Sequence, residues 1–144
     1  MATTHTLELR RVIPATPARV FEAWTNPEVL SRWFMPALDY TAVIHEADAR
    51  VGGRYRFEMQ KKEGGSSIVT GEYREVDPPT RLVFTWKWES NPQQETLVTV
   101  EFHPSGKHTE VTITHTLFTT ETERDYHNEG WTGCMSCLEA AMQA

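Results

Sequence analysis

The feature of this chain that most constrains its fold is one long helical pattern at its end, from Thr120 to Ala144. Thr120-Glu121-Thr122-Glu123 has the form of a capping box, in which a hydroxyl and a carboxylate bind the free amides of a helix start. About 22 residues at a rise of about 1.5 Å make a helix of roughly 33 Å. Its apolar residues recur at spacings of three and four, at Tyr126, Trp131, Cys134, Met135, Leu138 and Met142. Such a stripe must pack against another layer of structure.

Most of the chain before this helix alternates apolar and polar residues, as β-strands do. The alternation predicts strands at 6–13, 40–46, 54–60, 68–76, 82–88, 98–102 and 111–117. Two short helices are predicted after the first strand, because Thr16-Pro17 and Asn26-Pro27 each place a capping side chain before a proline. Strict alternation indicates one buried and one solvated face, as in antiparallel sheets. In the last strand, the residues expected to face the core are Val111, Ile113, His115 and Leu117.

These elements predict an α+β fold: a curved antiparallel sheet of about seven strands, wrapped around the long C-terminal helix. The two short helices carry the chain from one sheet edge to the other, and the last helix covers the apolar face of the sheet. One helix does not fill a bowed sheet. We therefore expect a pocket between them, lined by apolar and aromatic side chains.

The length and the net charge of the chain limit the classes of protein to which it can belong. A chain of 144 residues is predicted to form a single domain, 1–144, with its own core. A net charge of −6 argues against nucleic acid as a partner, because nucleic acid is itself an anion. No apolar run approaches the ~18 residues of a membrane span, and the start of the chain has no signal-peptide pattern. Only two cysteines are present, both in the final helix, so we expect a cytoplasmic protein without disulfides.

Six stretches carry a resemblance to a known family, and they follow one another along nearly the whole chain: Val20-Phe21-Glu22-Ala23-Trp24-Thr25-Asn26-Pro27, Arg32-Trp33-Phe34, Asp48-Ala49-Arg50-Val51-Gly52-Gly53, Gly71-Glu72-Tyr73-Arg74-Glu75-Val76-Asp77-Pro78-Pro79, Arg81-Leu82-Val83-Phe84-Thr85-Trp86 and Gly130-Trp131. With the order of elements, they resemble the helix-grip or START-like superfamily, also called SRPBCC or Bet v 1-like. Within it, the chain is similar to the bacterial branch named after the activator of the 90-kDa heat-shock chaperone ATPase.

The resemblance implies several functions, because proteins of this fold bind lipids, sterols or polyketides, or cyclise aromatic polyketides. Our first hypothesis is non-catalytic binding of a small hydrophobic or aromatic molecule, lipid-like or polyketide-like, without a cofactor or a metal. The second is a cyclase or hydrolase that uses His115 with a tyrosine such as Tyr55 or Tyr73. The third is a chaperone-associated stress protein. The co-chaperone that gives the family its name has an additional domain, which we do not expect here.

The predicted ligand-binding residues are those of inward faces and of the final helix that would surround the pocket. For any one of them, plain core packing is the alternative interpretation. Access to the pocket is predicted near Phe34-Met35-Pro36, Gly64-Gly65 and Asn91-Pro92. The predicted site residues are Trp33, Tyr55, Phe57, Met59, Tyr73, Phe84, Trp86, Trp88, Val100, Phe102, His115, Trp131, Cys134 and Leu138.

Two further features have a structural and a chemical interpretation. His115 is either a core imidazole bonded to its neighbours or a group that orients a ligand or moves a proton. Cys134 and Cys137 have the spacing of a redox pair, but they lie deep inside a helix, where core packing is the expected role. Gly130 and Gly133 lower the helix propensity, so a close approach of the sheet or of a ligand, or a bend, is expected there.

Overall fold

The computed structural model describes residues 4–143. Its strands are β1 (His5–Ile13), β2 (Tyr40–Ala47), β3 (Arg54–Lys61), β4 (Ser66–Asp77), β5 (Arg81–Trp88), β6 (Thr96–Ser105) and β7 (His108–Phe118). Its helices are α1 (Pro17–Thr25), α2 (Pro27–Trp33) and α3 (Glu121–Gln143). Each predicted strand and helix is present, with ends that differ by a few residues.

The strands form one curved antiparallel sheet in the order β1-β7-β6-β5-β4-β3-β2. Strands β2 to β7 are a meander, and β1 pairs with β7 at the far edge. The helices α1 and α2 connect β1 at one edge to β2 at the other. The predicted α+β architecture is therefore confirmed, including the two short helices and the long helix on the sheet.

Side-chain caps start the helices where the sequence places them. The Thr16 hydroxyl accepts a hydrogen bond from the amide of Arg19 at 3.4 Å, and the Asn26 side chain accepts one from Glu28 at 2.9 Å. The Thr120 hydroxyl accepts from the amide of Glu123 at 3.1 Å. Each cap satisfies an amide that the first turn of a helix leaves free.

The long helix lies unevenly on the sheet. It packs most extensively against β1, and it also contacts β7 and α2. Near its end, Arg11 of β1 forms an ion pair with Glu139 at 3.4 Å, and Arg19 donates to the carbonyl of Met142 at 3.1 Å. Its second half is thus held at the β1 edge, and its first half passes over the other half of the sheet. None of the helices in residues 4–143 combines the length and apolar character that crossing a membrane requires.

The end of β7 differs from the prediction. Leu117 was expected to face the core, but its side chain is 45% exposed and its φ is +76°. Phe118 is fully buried instead. The pairing of β1 with β7 shifts here, because one residue of β1 opposes two of β7 between the pairs Leu7–His115 and His5–Phe118. The extra residue is a β-bulge, which reverses the alternation of side chains beyond it.

The central strand β5 departs from the expected alternation. Its residues 82–86 are all buried, although Val83 and Thr85 were expected on a solvated face. Thr85 is used structurally: its hydroxyl accepts from the amide of Glu72 at 2.8 Å, and its carbonyl accepts from the Tyr55 hydroxyl. Neighbouring strands on both sides also cover β5, which stands fourth of seven in the sheet.

Candidate functional site

A cleft of about 370 Å³ lies between the first half of α3 and the half of the sheet made by β2 to β5. The α2–β2 connection and β2 contribute Phe34, Pro36, Ala37 and Tyr40. The strands β3 to β5 contribute Met59, Lys61, Ser67, Trp86 and Trp88. The helix contributes Tyr126, His127, Glu129, Gly130, Trp131 and Cys134. At the cleft α3 meets the sheet through long side chains, whereas its backbone packs closely against β1.

Aromatic rings form the inner wall of the cleft. The ring of Trp86 lies at the centre, 5.1 Å from Trp131, 5.4 Å from Trp88 and 6.1 Å from Phe34, measured between centroids. Trp86 and Trp88 are perpendicular at 88°, and Phe34 and Trp131 at 89°. Edge-to-face contacts of this kind fix rings more firmly than area burial alone. The wall therefore consists of closely packed aromatic rings.

A hydrogen-bonded chain behind the wall holds Trp131. Its indole N–H donates to Nδ1 of His115 at 3.0 Å, and Nε2 of His115 lies 2.7 Å from the hydroxyl of Thr96. An indole nitrogen only donates, so Nδ1 is the acceptor and Nε2 carries the proton. The Thr96 hydroxyl then donates to the carbonyl of Trp86 at 3.2 Å. His115 is therefore neutral and uses both ring nitrogens, and it ties α3 to β7 and β6.

A second chain of the same kind holds Trp88. Its indole N–H donates to Nε2 of His127 at 2.9 Å, and Nδ1 of His127 donates to the carbonyl of Glu123 at 2.7 Å. This imidazole is neutral as well, with the proton on Nδ1. His127 lies on α3, so the bond joins the first half of the helix to β5. The rings of the two histidines lie 5.3 Å apart, with Phe118 packed against both.

Burial determines the charge state of the groups inside the site. It lowers the pKa of His115 well below 6.5, and proximity to His127 lowers it further. Burial also lowers the pKa of His127, although the carbonyl of Glu123 opposes that shift. The pKa of the Cys134 thiol is raised by burial and by Cys137. The interior of the cleft thus holds no charge at neutral pH.

The two cysteines of α3 are both in the interior of the protein. Both are buried free thiols, and burial raises the pKa of each. A reactive cysteine requires a lowered pKa and exposure to solvent. Both thiols are therefore buried, as core packing predicts, and Cys134 also lines the cleft.

The two glycines of α3 have different surroundings. A Cβ placed on Gly133 would overlap the carbonyl oxygen of Pro36, so the α2–β2 connection packs directly against the helix backbone there. The expected close approach is present, although the approaching element is this connection and not the sheet. A Cβ on Gly130 would meet no atom within 4 Å, because Gly130 faces the open cleft.

The rim of the cleft is polar. On the sheet side it consists of Tyr40, Lys61 and Ser67, and on the helix side of Tyr126 and Glu129. Lys61, Ser67 and Glu129 are exposed, and Tyr126 is 68% exposed. The molecule therefore offers a ligand an apolar interior and a charged or hydroxylated boundary with water.

The predicted site residues fall into two groups. Met59, Trp86, Trp88, Trp131 and Cys134 line the cleft. The remaining nine are buried in the core beneath or beside it; they are Trp33, Tyr55, Phe57, Tyr73, Phe84, Val100, Phe102, His115 and Leu138. Of these, Trp33 donates its indole N–H to the carbonyl of Ala23 at 2.8 Å, and Tyr55 donates to Thr85. A role in ligand binding stays a prediction for all fourteen.

Several cleft residues were not among the predicted ones. Phe34, Pro36 and Ala37 belong to the connection that was expected to give access to the pocket. Tyr40, Lys61 and Ser67 lie at strand ends, where alternation alone does not indicate a site. His127 falls on the apolar face of α3, and its spacing of four from Trp131 was the available signal. The Asn91-Pro92 loop does not line this cleft; Asn91 lies at a smaller one of about 20 Å³ beside Trp88.

The fold and the cleft define the class of protein. A seven-stranded curved antiparallel sheet, a long C-terminal helix and two short helices between β1 and β2 make the helix-grip fold, and the chain is a member of the SRPBCC superfamily. The profile of the family described as Activator of Hsp90 ATPase homolog 1-like protein matches residues 14–143. The chain belongs to this family.

Solved structures with the same fold extend over almost the whole chain. Protein CV1439 from Chromobacterium violaceum is 25% identical with a TM-score of 0.87, covering 96% of this chain and 97% of its own. Protein NE0264 from Nitrosomonas europaea is 26% identical with a TM-score of 0.79, covering 96% and 94%. A protein from Arthrobacter aurescens is 20% identical with a TM-score of 0.85, covering 96% and 86%. Among functionally curated proteins, none matches this chain.

Proposed function

We propose that the protein binds a small hydrophobic or aromatic molecule in the cleft between the sheet and α3. The observation that carries this proposal is a cleft of about 370 Å³ with an inner wall of aromatic rings and a polar rim. Ligand pockets are typically about 300–1,000 Å³ and mostly apolar, with few polar groups. A cleft at the lower end of that range suits a flat molecule of two or three rings or a short acyl chain.

The cleft is also preformed. Trp131 is held from behind by His115, and Trp88 is held by His127, so neither ring is free to fall into the open space. Two of the three indole N–H groups at the cleft are used in these bonds. A ligand that enters such a site meets side chains already in place and loses little free energy in ordering them. This supports selective binding of an apolar body.

The same hydrogen bonds favour a binding function over a catalytic one. A general base must reach the substrate, whereas His115 is fully buried behind Trp131 and both of its nitrogens are engaged. Tyr55, its proposed partner in catalysis, is buried and donates to a backbone carbonyl. The family description refers to an activator of a chaperone ATPase, but the cleft is the feature of this chain that supports a specific function.

Filling the cleft from Gly130 tests the proposal. We expect the wild-type protein to bind the neutral dye N-phenyl-1-naphthylamine, with a rise in fluorescence and in melting temperature. A ligand at 100 times its dissociation constant stabilises a protein by about 2.7 kcal/mol. In Gly130→Leu, the new side chain enters the open space and replaces glycine with a better helix former. Dye binding should be lost while the fold keeps its stability.

Asn128→Leu is the matched control, because position 128 is exposed on the same helix and outside the cleft. This variant should bind the dye as the wild type does. Equal dye binding by wild type and Gly130→Leu would contradict the proposal, as would the absence of binding across a broad panel of apolar compounds.

A further inference from the structure

The sheet side of the rim carries a pair of hydrogen-bond donors fixed by strand register. Tyr40 of β2 and Lys61 of β3 are direct partners across the antiparallel pair, and both line the cleft. Directly opposed residues have Cβ atoms about 4.5–5.5 Å apart on one face of the sheet. Ser67 joins them from the adjoining strand, where it is opposite Met59. An ammonium group, a phenol and a hydroxyl therefore converge at this corner.

These donors are not used within the described chain. In residues 4–143, no carboxylate lies within 4.0 Å of the Lys61 ammonium, and the hydroxyls of Tyr40 and Ser67 have no hydrogen-bond partner. In contrast to Lys61, two arginines on the outer face of the sheet form ion pairs: Arg56 is paired with Glu89 at 2.9 Å, and Arg74 with Glu72 at 3.1 Å. The corner can therefore accept an oxygen anion without breaking an existing bond.

The helix side of the rim has the opposite charge. Glu129 of α3 lines the cleft, and its carboxylate has no cation within 4.0 Å in the described residues. A negative group on a ligand is repelled from this side and attracted to Lys61 on the other. The two sides of the rim thus favour one orientation of a ligand that has a single charged end.

Building on the proposed function, we propose that the ligand is a flat aromatic acid, with its rings against Trp86 and Trp131 and its carboxylate bound by Lys61 and Tyr40. The carboxylate accepts one hydrogen bond from the ammonium and one from the phenol, both on the sheet side. The rings occupy the uncharged interior, where His127 and His115 are already bonded to Trp88 and Trp131. The recognised class is therefore an amphipathic acid, in contrast to a neutral lipid or a cationic amphiphile.

Three naphthalene compounds with the same ring body test this inference: 2-naphthoate, 2-naphthamide and 2-naphthylmethylamine. Dissociation constants are measured by calorimetry at pH 7.5, where the acid is anionic and the amine cationic. We expect the acid to bind about tenfold more tightly than the amide, because one charge-assisted hydrogen bond provides a gain in affinity of that size. The amine should bind most weakly, and added salt should weaken the binding of the acid but not that of the neutral amide.

The variant Lys61→Met keeps the aliphatic part of the side chain and removes its charge. It should lose the preference for the acid, with about a tenfold rise in the dissociation constant of 2-naphthoate and no change for 2-naphthamide. Lys62→Met is the matched control, because Lys62 is also exposed but does not line the cleft. It should leave all three affinities unchanged.

The outcomes separate this inference from the proposed function. If the amide binds as tightly as the acid, or if Lys61→Met keeps the preference, the acid inference is wrong and the cleft remains a binding site. Tightest binding of the amine would show that Glu129 selects the charge, which also overturns it. If none of the three compounds binds and N-phenyl-1-naphthylamine does not bind either, the proposed function itself fails.

Discussion

Two glycines three residues apart on α3 illustrate how one residue type has two roles at the residue scale. Gly133 lies under the carbonyl of Pro36, where no side chain fits, and Gly130 faces the cleft, where one would fit easily. Both lower the helix propensity equally. Gly133 lets the α2–β2 connection contact the helix, and Gly130 keeps part of the cleft open.

The variants Gly130→Ala and Gly133→Ala should change stability in opposite directions. Alanine at 130 raises the free energy of unfolding by up to about 1 kcal/mol, because helix propensity improves and nothing is displaced. Alanine at 133 forces the backbone of Pro36 aside, and overpacking of this kind costs about 1–3 kcal/mol. Urea unfolding of both variants measures the difference. Equal stability of the two would contradict the packing at Gly133.

At the scale of elements, the contact between α3 and the sheet depends on polar groups in an aromatic core. Trp131 bonds to His115 of β7, and Trp88 of β5 bonds to His127 of α3. Each bond satisfies one indole N–H and one imidazole nitrogen that would otherwise have no partner in the described part of the chain. A fully satisfied buried network specifies one arrangement of the packed layers, whereas an apolar contact would tolerate sliding.

Replacing Trp131 with phenylalanine should destabilise the protein more than the same change at Trp24. Both indoles are buried and their rings are 5.8 Å apart, but the Trp24 N–H has no partner in the described part of the chain. Trp131→Phe leaves Nδ1 of His115 buried and unpaired, which costs about 1–3 kcal/mol. Trp24→Phe removes an unpaired group. Urea unfolding that gave equal losses would show that the bond to His115 contributes nothing.

The elements of this fold follow from local sequence patterns, and so they could be predicted. The capping pairs at Thr16 and Asn26, the alternation of the strands and the stripe of α3 are visible within short windows. The bulge at Leu117 was missed, because it depends on how β1 pairs with β7 and no glycine marks it. The reversal at Phe118 followed from that pairing.

The cleft was predicted in kind but not in detail. Inward faces of the strands indicated Trp86 and Trp88, which line the cleft, and also Phe102, which lies in the core. Which inward-facing residues line the cleft depends on the position of α3 on the sheet. Contacts between residues far apart in sequence determine that position. The rim residues Tyr40 and Lys61 become neighbours only through strand register.

At the scale of the whole molecule, two neutral histidines make stability depend on pH. The pKa values of His115 and His127 are lower in the folded protein than the usual 6.5, mainly because of burial. Below about pH 6.5 the unfolded chain binds protons that the folded protein does not. Folding stability is therefore unaffected above that pH and is lost as the pH falls. A protonated imidazole also cannot accept the indole bonds.

We expect the free energy of unfolding to fall as the pH drops from 6.5 to 5, with a slope that approaches about 1.4 kcal/mol per pH unit for each histidine that stays neutral in the folded protein. Urea unfolding across this window measures the slope. His127→Gln keeps an acceptor and a donor at this position but does not titrate, so its slope should be smaller than that of the wild type. A stability that is constant from pH 7 to 5 would show that neither imidazole is held neutral.

Because α3 packs unevenly on the sheet, one part of the molecule maintains the fold and another part tolerates substitution. The second half of α3 at the β1 edge and the two indole–imidazole bonds of its first half hold the two layers together, so substitutions there threaten the fold. The rim side chains of Lys61 and Ser67 are exposed, so they can be exchanged with little loss of stability. Substitutions at a few rim positions could therefore change which ligand the protein recognises without changing its fold.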